Sequence, residues 1–386
     1  MDGGPRLRFI VIGGGMAGIL ATIKLQEAGF DDIVVYEKAD RLGGTWRDNT
    51  YPGIGCDVPS HLYCYSFAPN PEWSHLFSPG EEILAYFEGI ARRYGVDRRV
   101  RLYEEVLSAT WVDGRWQVET SAGRRDEADV LIAATGVLHH PRYPDIEGLG
   151  TFAGAAFHSA RWDHSVRIDG ARLGVVGTGS SAVQIVGAVV DRVARLVVFQ
   201  RTAQWILPQN NRPYREDEKA RFREDPRTMV ELHEQLSATF SGFANAVVDA
   251  DSPQMKAIEE LCRANLENSV RDPVLRERLR PDYRAACKRL VVSDNFYDAI
   301  QRPNAELVTA RIERVEPAGV RTADGVLHEL DVLVLATGFK VDAFMRPMAV
   351  TGRGGIRLDD CWARRPSAYV SISIPDFPNL FMLNGP

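Results

Sequence analysis

Three glycines near the start of the chain have the spacing of a phosphate-binding turn, Gly13-x-Gly15-x-x-Gly18. The first permits a tight turn, the second allows the backbone to approach a pyrophosphate, and the third allows a helix to pack on a strand. Backbone N–H groups at the start of the following helix attract phosphate oxygens. Glu37 ends the next apolar segment, where an acid can accept hydrogen bonds from ribose hydroxyls. Together these residues predict a nucleotide-binding site.

A second turn of the same kind follows much later in the chain, with alanine in place of the third glycine. No acid ends the strand after it, and Arg201 and Thr202 stand there instead. A guanidinium and a hydroxyl suit a 2′-phosphate, which favours NADP(H) over NAD(H). The alternative is that Arg201 is an ordinary surface arginine. The candidate residues of this second turn and of the helix that follows it are Gly177, Thr178, Gly179, Ser180, Ser181, Ala182 and Gln184.

The elements that must position these turns are apolar strands and short helices on either side of them. Each turn is preceded by a continuously apolar segment, typical of a buried parallel strand, and is followed by a helical stretch and another apolar strand. Two further apolar strands each run into the tripeptide Ala-Thr-Gly, and residues 208–285 have the charge and helix formers of a helical insertion. The expected fold is therefore α/β, with two Rossmann-like dinucleotide-binding domains and a helical insertion in the second. The predicted elements are strands Phe9–Ile12, Ile33–Tyr36, Val130–Ala133, Leu173–Val176, Leu196–Phe199 and Val332–Leu335, and helices Ala17–Ala28 and Val183–Val190.

Length and composition narrow the classes of protein that the chain can belong to. A chain of 386 residues is long enough for two or three domains, and 45% hydrophobic with 25% charged residues is ordinary for a globular protein. The net charge is −6, and no lysine- or arginine-rich block indicates binding to nucleic acid. No apolar run approaches the roughly 18 residues of a membrane span. The five scattered cysteines lack a CxxC motif, which argues against a disulfide framework and against a zinc site and favours a cytoplasmic setting.

Two longer motifs give the chain a family resemblance. Phe152-x-Gly154-x-x-x-His158-x-x-x-Trp162-Asp163 lies between the two turns, and the pattern GxWxxxxYPGxxxD follows the first turn. In both motifs the chain resembles the type I Baeyer–Villiger monooxygenases, over its length from Phe9 to Pro386. The resemblance implies an enzyme that uses FAD and NADPH to insert one oxygen atom of O2 next to a ketone carbonyl, via a C4a-peroxyflavin, giving an ester or lactone. The residues that match the second motif are Gly44, Trp46, Tyr51, Pro52, Gly53 and Asp57.

Single residues take roles from the same resemblance. Lys288-Arg289 looks like the family's lysine–arginine pair, in which the arginine lies at the flavin face and the lysine helps to hold the 2′-phosphate of NADP. Asp57 would be the acid beside Arg289, and both are the expected catalytic residues. His158 would belong to a linker that couples the nucleotide domains, without a part in bond making. Gly44 is also expected at the cofactor, and the residues expected along the FAD are Thr45, Trp46 and Tyr63, with Val106 near its adenine end.

The resemblance also divides the chain by cofactor. Residues 1–148 and 341–386 would bind FAD, residues 149–207 and 286–340 would bind NADP, and residues 208–285 would be the insertion. Family members typically continue past the equivalent of Pro386, so we expect a C-terminally truncated chain whose partners are a small ketone and O2.

Three other functions are alternatives. An N- or S-oxygenating flavin monooxygenase shares the first long motif, but with a different residue where Trp162 stands. A disulfide reductase shares the architecture, but Cys56 and Cys64 lack the spacing of its redox pair. A non-catalytic nucleotide-binding fragment is the third.

Overall fold

The computed structural model describes residues 7–249 and 251–386. The described chain divides into two compact units. The first unit contains the described residues up to Asp48, together with Ile83–Arg142 and Phe339–Pro386. The second unit contains Asn49–Glu82 and the described part of Tyr143–Gly338. The division of the chain by cofactor stays a prediction.

Strands and helices alternate along much of the chain. The strands are β1 (Phe9–Ile12), β2 (Ile33–Tyr36), β3 (Val100–Arg101), β4 (Val106–Val112), β5 (Arg115–Thr120), β6 (Arg125–Ala128), β7 (Val130–Ala133), β8 (Ala155–His158), β9 (Arg172–Val176), β10 (Arg195–Phe199), β11 (Ile206–Leu207), β12 (Val291–Val292), β13 (Ala305–Val308), β14 (Ile312–Glu316), β15 (Gly319–Thr322), β16 (Leu327–Glu329), β17 (Val332–Leu335), β18 (Ala349–Thr351) and β19 (Leu380–Met382). The helices are α1 (Met16–Glu27), α2 (Thr45–Asp48), α3 (Gly80–Arg93), α4 (Ser180–Val189), α5 (Glu216–Glu224), α6 (Arg227–Val248), α7 (Pro253–Ser269), α8 (Pro273–Arg278), α9 (Phe296–Ile300) and α10 (Leu358–Cys361).

The first unit is built on a parallel sheet with the strand order β19-β7-β1-β2-β3. Every residue of β1 and of β2 is buried, as expected of strands that are covered on both faces. A second sheet has the order β18-β4-β5-β6, in which β4, β5 and β6 are antiparallel. Trp116 of β5 is fully buried and packs edge-on against Trp111 of β4.

The second unit repeats this plan. Its parallel sheet has the order β13-β10-β9-β17-β8, and β14, β15 and β16 form an antiparallel sheet beside it. In both units the strand before the glycine turn is central, and on one side of it lies the strand that runs into Ala-Thr-Gly. The outermost strand beyond that one differs in origin, because β8 comes before its glycine turn in the chain and β19 comes long after. The predicted α/β fold with two Rossmann-like domains is confirmed.

Helices α5 to α8 lie in the described part of the segment predicted to be a helical insertion. The aromatic rings of Tyr214 and Phe222 pack against the buried His61, at centroid distances of 5.3 and 4.6 Å. The backbone carbonyl of His61 also lies 2.8 Å from Nδ1 of His233 in α6. The insertion is therefore attached to the segment that carries Asp57 and Tyr63.

Two details of the secondary structure differ from the predictions. The helices after the glycine turns begin earlier than predicted, at Met16 and Ser180, because Gly15 and Gly179 are themselves the N-terminal caps. The antiparallel sheets were not predicted, since their strands mix polar with apolar residues and lack the continuous apolar runs of the parallel strands.

Among the described residues, no helix has both the length and the apolar character needed to cross a membrane.

Candidate functional site

The first glycine turn leaves no room for side chains at two of its three glycines. A Cβ on Gly13 would lie 2.5 Å from the carbonyl oxygen of Ala134, and one on Gly18 would lie 1.9 Å from that of Gly13. Gly15 caps α1 without any side-chain hydrogen bond, and the first turn of this helix has no acidic residue. The N-terminal end of α1, where no acidic side chain competes, therefore suits an anionic ligand.

Glu37 lies immediately after β2, and only 4% of it is exposed. Its carboxylate accepts hydrogen bonds from the backbone N–H of Gly14 (2.7 Å) and of Ala39 (2.9 Å). It also forms a buried ion pair with Arg47, at 3.0 Å. A carboxylate has about four acceptor positions, so roughly one is left for a ribose hydroxyl. Sequence reasoning missed Arg47, because an arginine next to an aspartate resembles an ordinary surface pair.

The loop before α2 lies against the first glycine turn. The backbone N–H of Gly43 donates to the carbonyl of Gly14 (3.0 Å), and a Cβ on Gly44 would lie 2.9 Å from the Cα of Gly15. Gly44 is followed directly by α2, so the structure brings Thr45 and Trp46 to the same turn.

The two remaining residues expected along the FAD lie elsewhere. Val106 is in the hydrophobic core of the first unit, with 5% exposure. Tyr63 belongs to the second unit, where its backbone N–H donates to the carbonyl of Pro59 at 2.9 Å. Their roles at a cofactor stay predictions.

The second glycine turn repeats the geometry of the first. A Cβ on Gly177 would lie 2.3 Å from the carbonyl oxygen of Ala336. The corresponding distance at the first turn, from Gly13 to the carbonyl oxygen of Ala134, is 2.5 Å. Gly179 caps α4 without a side-chain hydrogen bond, and the first turn of α4, which contains Ser180 and Ser181, carries no acid. Ala182 takes the place of the third glycine and is 1% exposed, so its methyl group is accommodated in the core.

The residues predicted to bind a 2′-phosphate follow β10 and precede β12. Thr178 is linked to Thr202, since its hydroxyl donates to the carbonyl of Thr202 at 2.7 Å. Arg201 and Lys288 are exposed, and within the described part of the chain neither forms an ion pair with a carboxylate. Two cations are thus available to an anion from solution.

Gln184 has a clear structural role. Its side chain accepts a hydrogen bond from the hydroxyl of Tyr51 (2.9 Å) and donates one to the carbonyl of Gly55 (3.0 Å). Gly53 has a φ of +82°, and a Cβ there would lie 2.6 Å from the carbonyl oxygen of Gln184. The Tyr-Pro-Gly part of the second long motif therefore packs directly on α4. Contact of Gln184 with a cofactor stays a prediction.

Asp57 and Arg289 form an ion pair, with 2.5 Å between Oδ2 and the guanidinium nitrogen. The side chain of Asp57 is 24% exposed and that of Arg289 is 71% exposed. The backbone beside Asp57 is held by Gln209, whose side-chain amide donates to the carbonyl of Cys56 at 3.1 Å. The structure thus brings the two expected catalytic residues together and leaves the guanidinium open to solvent.

His158 is fully buried at the end of β8. Its Nδ1 accepts a hydrogen bond from the backbone N–H of Ala160 at 3.1 Å. Burial lowers the pKa of His158, against the opposing effect of a hydrogen bond with the backbone of Gly338. A fully buried imidazole with a lowered pKa is poorly suited to acid–base catalysis, and the role of His158 in coupling the nucleotide domains stays a prediction.

Within residues 7–249 and 251–386, no group of three histidine, cysteine or acidic side chains is placed to hold a metal ion.

The fold and the two glycine turns together define a protein with two dinucleotide-binding sites, and Asp57 and Arg289 add an arginine–carboxylate pair.

Known families and relatives match the chain. Residues 11–79 match the family described as NAD(P)-binding Rossmann-like domain, and residues 64–241 match pyridine nucleotide-disulphide oxidoreductase. An uncharacterized monooxygenase of Mycobacterium bovis is 52% identical, over 97% of this chain and 76% of the relative. A Baeyer–Villiger monooxygenase of Streptomyces coelicolor is 40% identical, over 98% of this chain and 73% of the relative.

Solved structures agree with these matches. Cyclohexanone monooxygenase from Rhodococcus sp. Phi1 bound to NADP+ has a TM-score of 0.88 at 32% identity, over 98% of this chain and 80% of that one. Cyclohexanone monooxygenase bound to ε-caprolactone has a TM-score of 0.89 at 33% identity, over 98% of this chain and 83% of that one. OTEMO in complex with FAD and NADP has a TM-score of 0.88 at 30% identity, over 100% of this chain and 81% of that one. The chain belongs to the Baeyer–Villiger family of FAD-binding monooxygenases, which confirms the predicted family and enzyme class.

Proposed function

We propose that this chain binds FAD at the first glycine turn and NADPH at the second, and inserts one oxygen atom of O2 next to a ketone carbonyl to give an ester or lactone. The observation that carries the proposal is the Asp57–Arg289 ion pair, which holds one permanent cation in a defined and accessible position. Relatives named for cyclohexanone, one of them bound to a lactone, support a ketone as the substrate class.

The two turns fit the proposed cofactors. At the first, a helix start without a side-chain cap suits a pyrophosphate, and Glu37 keeps an acceptor position for a ribose. At the second, α4 also lacks a side-chain cap and suits the pyrophosphate of NADPH, and the exposed cations Arg201 and Lys288, which form no ion pair with a carboxylate of the described residues, suit its 2′-phosphate.

Arg289 would stabilise the negative charge that develops on oxygen during the reaction. Bound FAD and NADPH would supply the reducing equivalents and activate O2. Most of the Arg289 side chain is exposed, so its guanidinium is accessible to a ligand from solution. Asp57 restricts Arg289 to one orientation, so that the cation is in place before charge develops.

The cysteines give no support to a disulfide reductase. Burial raises the pKa of Cys56 to about 12 and that of Cys64 to about 11. A redox-active cysteine needs a lowered pKa, because the thiolate is the reactive form. These two thiols are therefore poor nucleophiles near neutral pH.

The test is product formation by wild type, Arg289→Ala and Asp57→Ala across a panel of ketones, with NADPH consumption followed in parallel. Loss of a preorganised charge costs about 10²–10³ in rate, so Arg289→Ala should lose ester formation to that extent. Asp57→Ala should retain FAD and be impaired less. NADPH-dependent flavin reduction, measured without O2, should persist in both variants. Arg302→Ala removes another exposed arginine, paired with Asp191 at 3.4 Å, and serves as the control.

Two outcomes would contradict the proposal. Normal ester yield from Arg289→Ala would remove that residue from the reaction. A wild-type protein that oxidises sulfides or amines but no ketone would instead be an N- or S-oxygenating enzyme.

A further inference from the structure

Lys288 lies over an aromatic ring. Its ammonium nitrogen is 4.3 Å from the ring centroid of Tyr283, well within the range of a cation–π interaction. Lys288 is exposed, and an exposed lysine ordinarily samples many rotamers. The ring therefore favours one position of the ammonium group at the surface.

Tyr283 is itself fixed from both ends. Its hydroxyl lies within hydrogen-bond distance of the carbonyl oxygen of Ala203 (3.1 Å) and of the side-chain oxygen of Gln204 (2.9 Å). Its backbone carbonyl accepts a hydrogen bond from the indole N–H of Trp205 at 2.6 Å. The ring is partly buried, and burial raises the pKa of Tyr283, so the hydroxyl remains a donor at neutral pH.

These contacts connect Tyr283 with the residues proposed to bind the 2′-phosphate. Ala203 and Gln204 directly follow Arg201 and Thr202 in the chain. Thr202 in turn is bonded to Thr178 of the second glycine turn. Lys288, which is distant in sequence, is thus placed by Tyr283 relative to the end of β10 and to that turn.

We propose that Tyr283 is a positioning residue that holds Lys288 ready for the 2′-phosphate of NADPH and so contributes to the preference for NADPH over NADH. The inference rests on the proposed function of the second turn. A cation that is already ordered loses less conformational freedom when the phosphate binds, and this increases affinity for the phosphate alone. The ring should not affect the rest of the nucleotide.

The experiment measures binding of 2′,5′-ADP and of 5′-ADP to the FAD-loaded protein by calorimetry. Tyr283→Leu removes the ring, and Tyr283→Phe keeps the ring while removing the hydroxyl. We expect Tyr283→Leu to weaken binding of 2′,5′-ADP by about two- to fivefold, the range of an exposed cation–π contact, and to leave binding of 5′-ADP unchanged. Tyr283→Phe should bind 2′,5′-ADP more tightly than Tyr283→Leu. Lys256→Met, which removes an exposed lysine of α7, is the control for a general loss of charge.

A double-mutant cycle with Lys288→Met separates positioning from a structural role. If Tyr283 acts through Lys288, adding Tyr283→Leu to Lys288→Met should cause no further loss. Additive losses, or equal losses for both nucleotides, would overturn the inference while leaving the second turn as the NADPH site. If wild type binds 2′,5′-ADP no better than 5′-ADP, the 2′-phosphate assignment fails as well.

Discussion

Exposed arginines of the second unit differ in whether a carboxylate already neutralises them. Arg302 is paired with Asp191, and Arg284 is paired with Glu259 at 2.7 Å. Arg201 has no such partner within the described part of the chain. An unpaired cation at the end of β10 can bind a phosphate without an existing ion pair having to be broken first.

Arg201→Ala should therefore raise the KM for NADPH by about tenfold or more, since a hydrogen bond to a charged group contributes about 1.5–3 kcal/mol. The KM for NADH should change little, because NADH lacks the 2′-phosphate. Steady-state kinetics with both cofactors provide the measurement, and Arg302→Ala is the matched control. Equal increases for both cofactors would place Arg201 outside the 2′-phosphate site.

At the scale of elements, the decisive packing is that of the segment 51–57 on α4. Gly53 must be glycine for two reasons. Its φ of +82° is left-handed, and a Cβ there would lie 2.6 Å from the carbonyl oxygen of Gln184 and 2.8 Å from the Cβ of Ala188. Because Asp57 follows closely in the chain, any displacement of this segment also displaces the partner of Arg289.

We expect Gly53→Ala to lower the free energy of unfolding by about 1–3 kcal/mol, the usual cost of overpacking. Ketone turnover per bound FAD should fall as well, because the Asp57–Arg289 pair would be disturbed. Thermal unfolding and the activity of the FAD-loaded fraction are the measurements. Gly242→Ala, at a helical glycine of α6 where a Cβ meets no atom within 4 Å, is the control and should not destabilise the protein. Unchanged activity in Gly53→Ala would show that this packing does not position Asp57.

At the scale of the whole molecule, stability should depend on the buried His61. Burial, with a smaller contribution from His233, lowers the pKa of His61 from 6.5 to about 4. Its two ring nitrogens have no hydrogen-bond partner within the described part of the chain. Protonation therefore favours the unfolded chain, whose histidine binds a proton at higher pH.

The stabilisation associated with neutral His61 should be complete above pH 6.5 and be lost as the pH falls toward 4. By pH 5 the loss should reach about 2 kcal/mol. His139 of the first unit, whose pKa is also lowered to about 4 by burial, contributes in the same direction. The measurement compares the unfolding midpoints of wild type and His61→Phe between pH 7 and pH 5, with the exposed His164→Phe as control. A difference between wild type and His61→Phe that does not change with pH would contradict the assignment.

The glycine turns and the strands beside them were predictable from sequence, because their determinants are local. A parallel strand that is covered on both faces requires a short continuous apolar run, and β1, β2 and β17 have the bounds that their apolar runs indicated. Positive φ at Gly13 and at Gly177 is likewise encoded by the residue type itself. The pairing of Asp57 with Arg289 was expected only through the family resemblance.

Other features depended on contacts between residues far apart in the chain. Glu37 alone indicated a ribose acceptor, but only the folded chain shows that Arg47 and two backbone N–H groups occupy most of its carboxylate. Gln184 was expected to bind a cofactor, but its bonds to Tyr51 and Gly55 depend on how a distant segment packs on α4. The sequence by itself indicated where along the chain two nucleotides could bind, since turn geometry and apolar periodicity are properties of neighbouring residues. The tertiary structure decided which side chains are already occupied by the protein, because hydrogen bonds and ion pairs form between groups that only the packing of distant elements brings within reach.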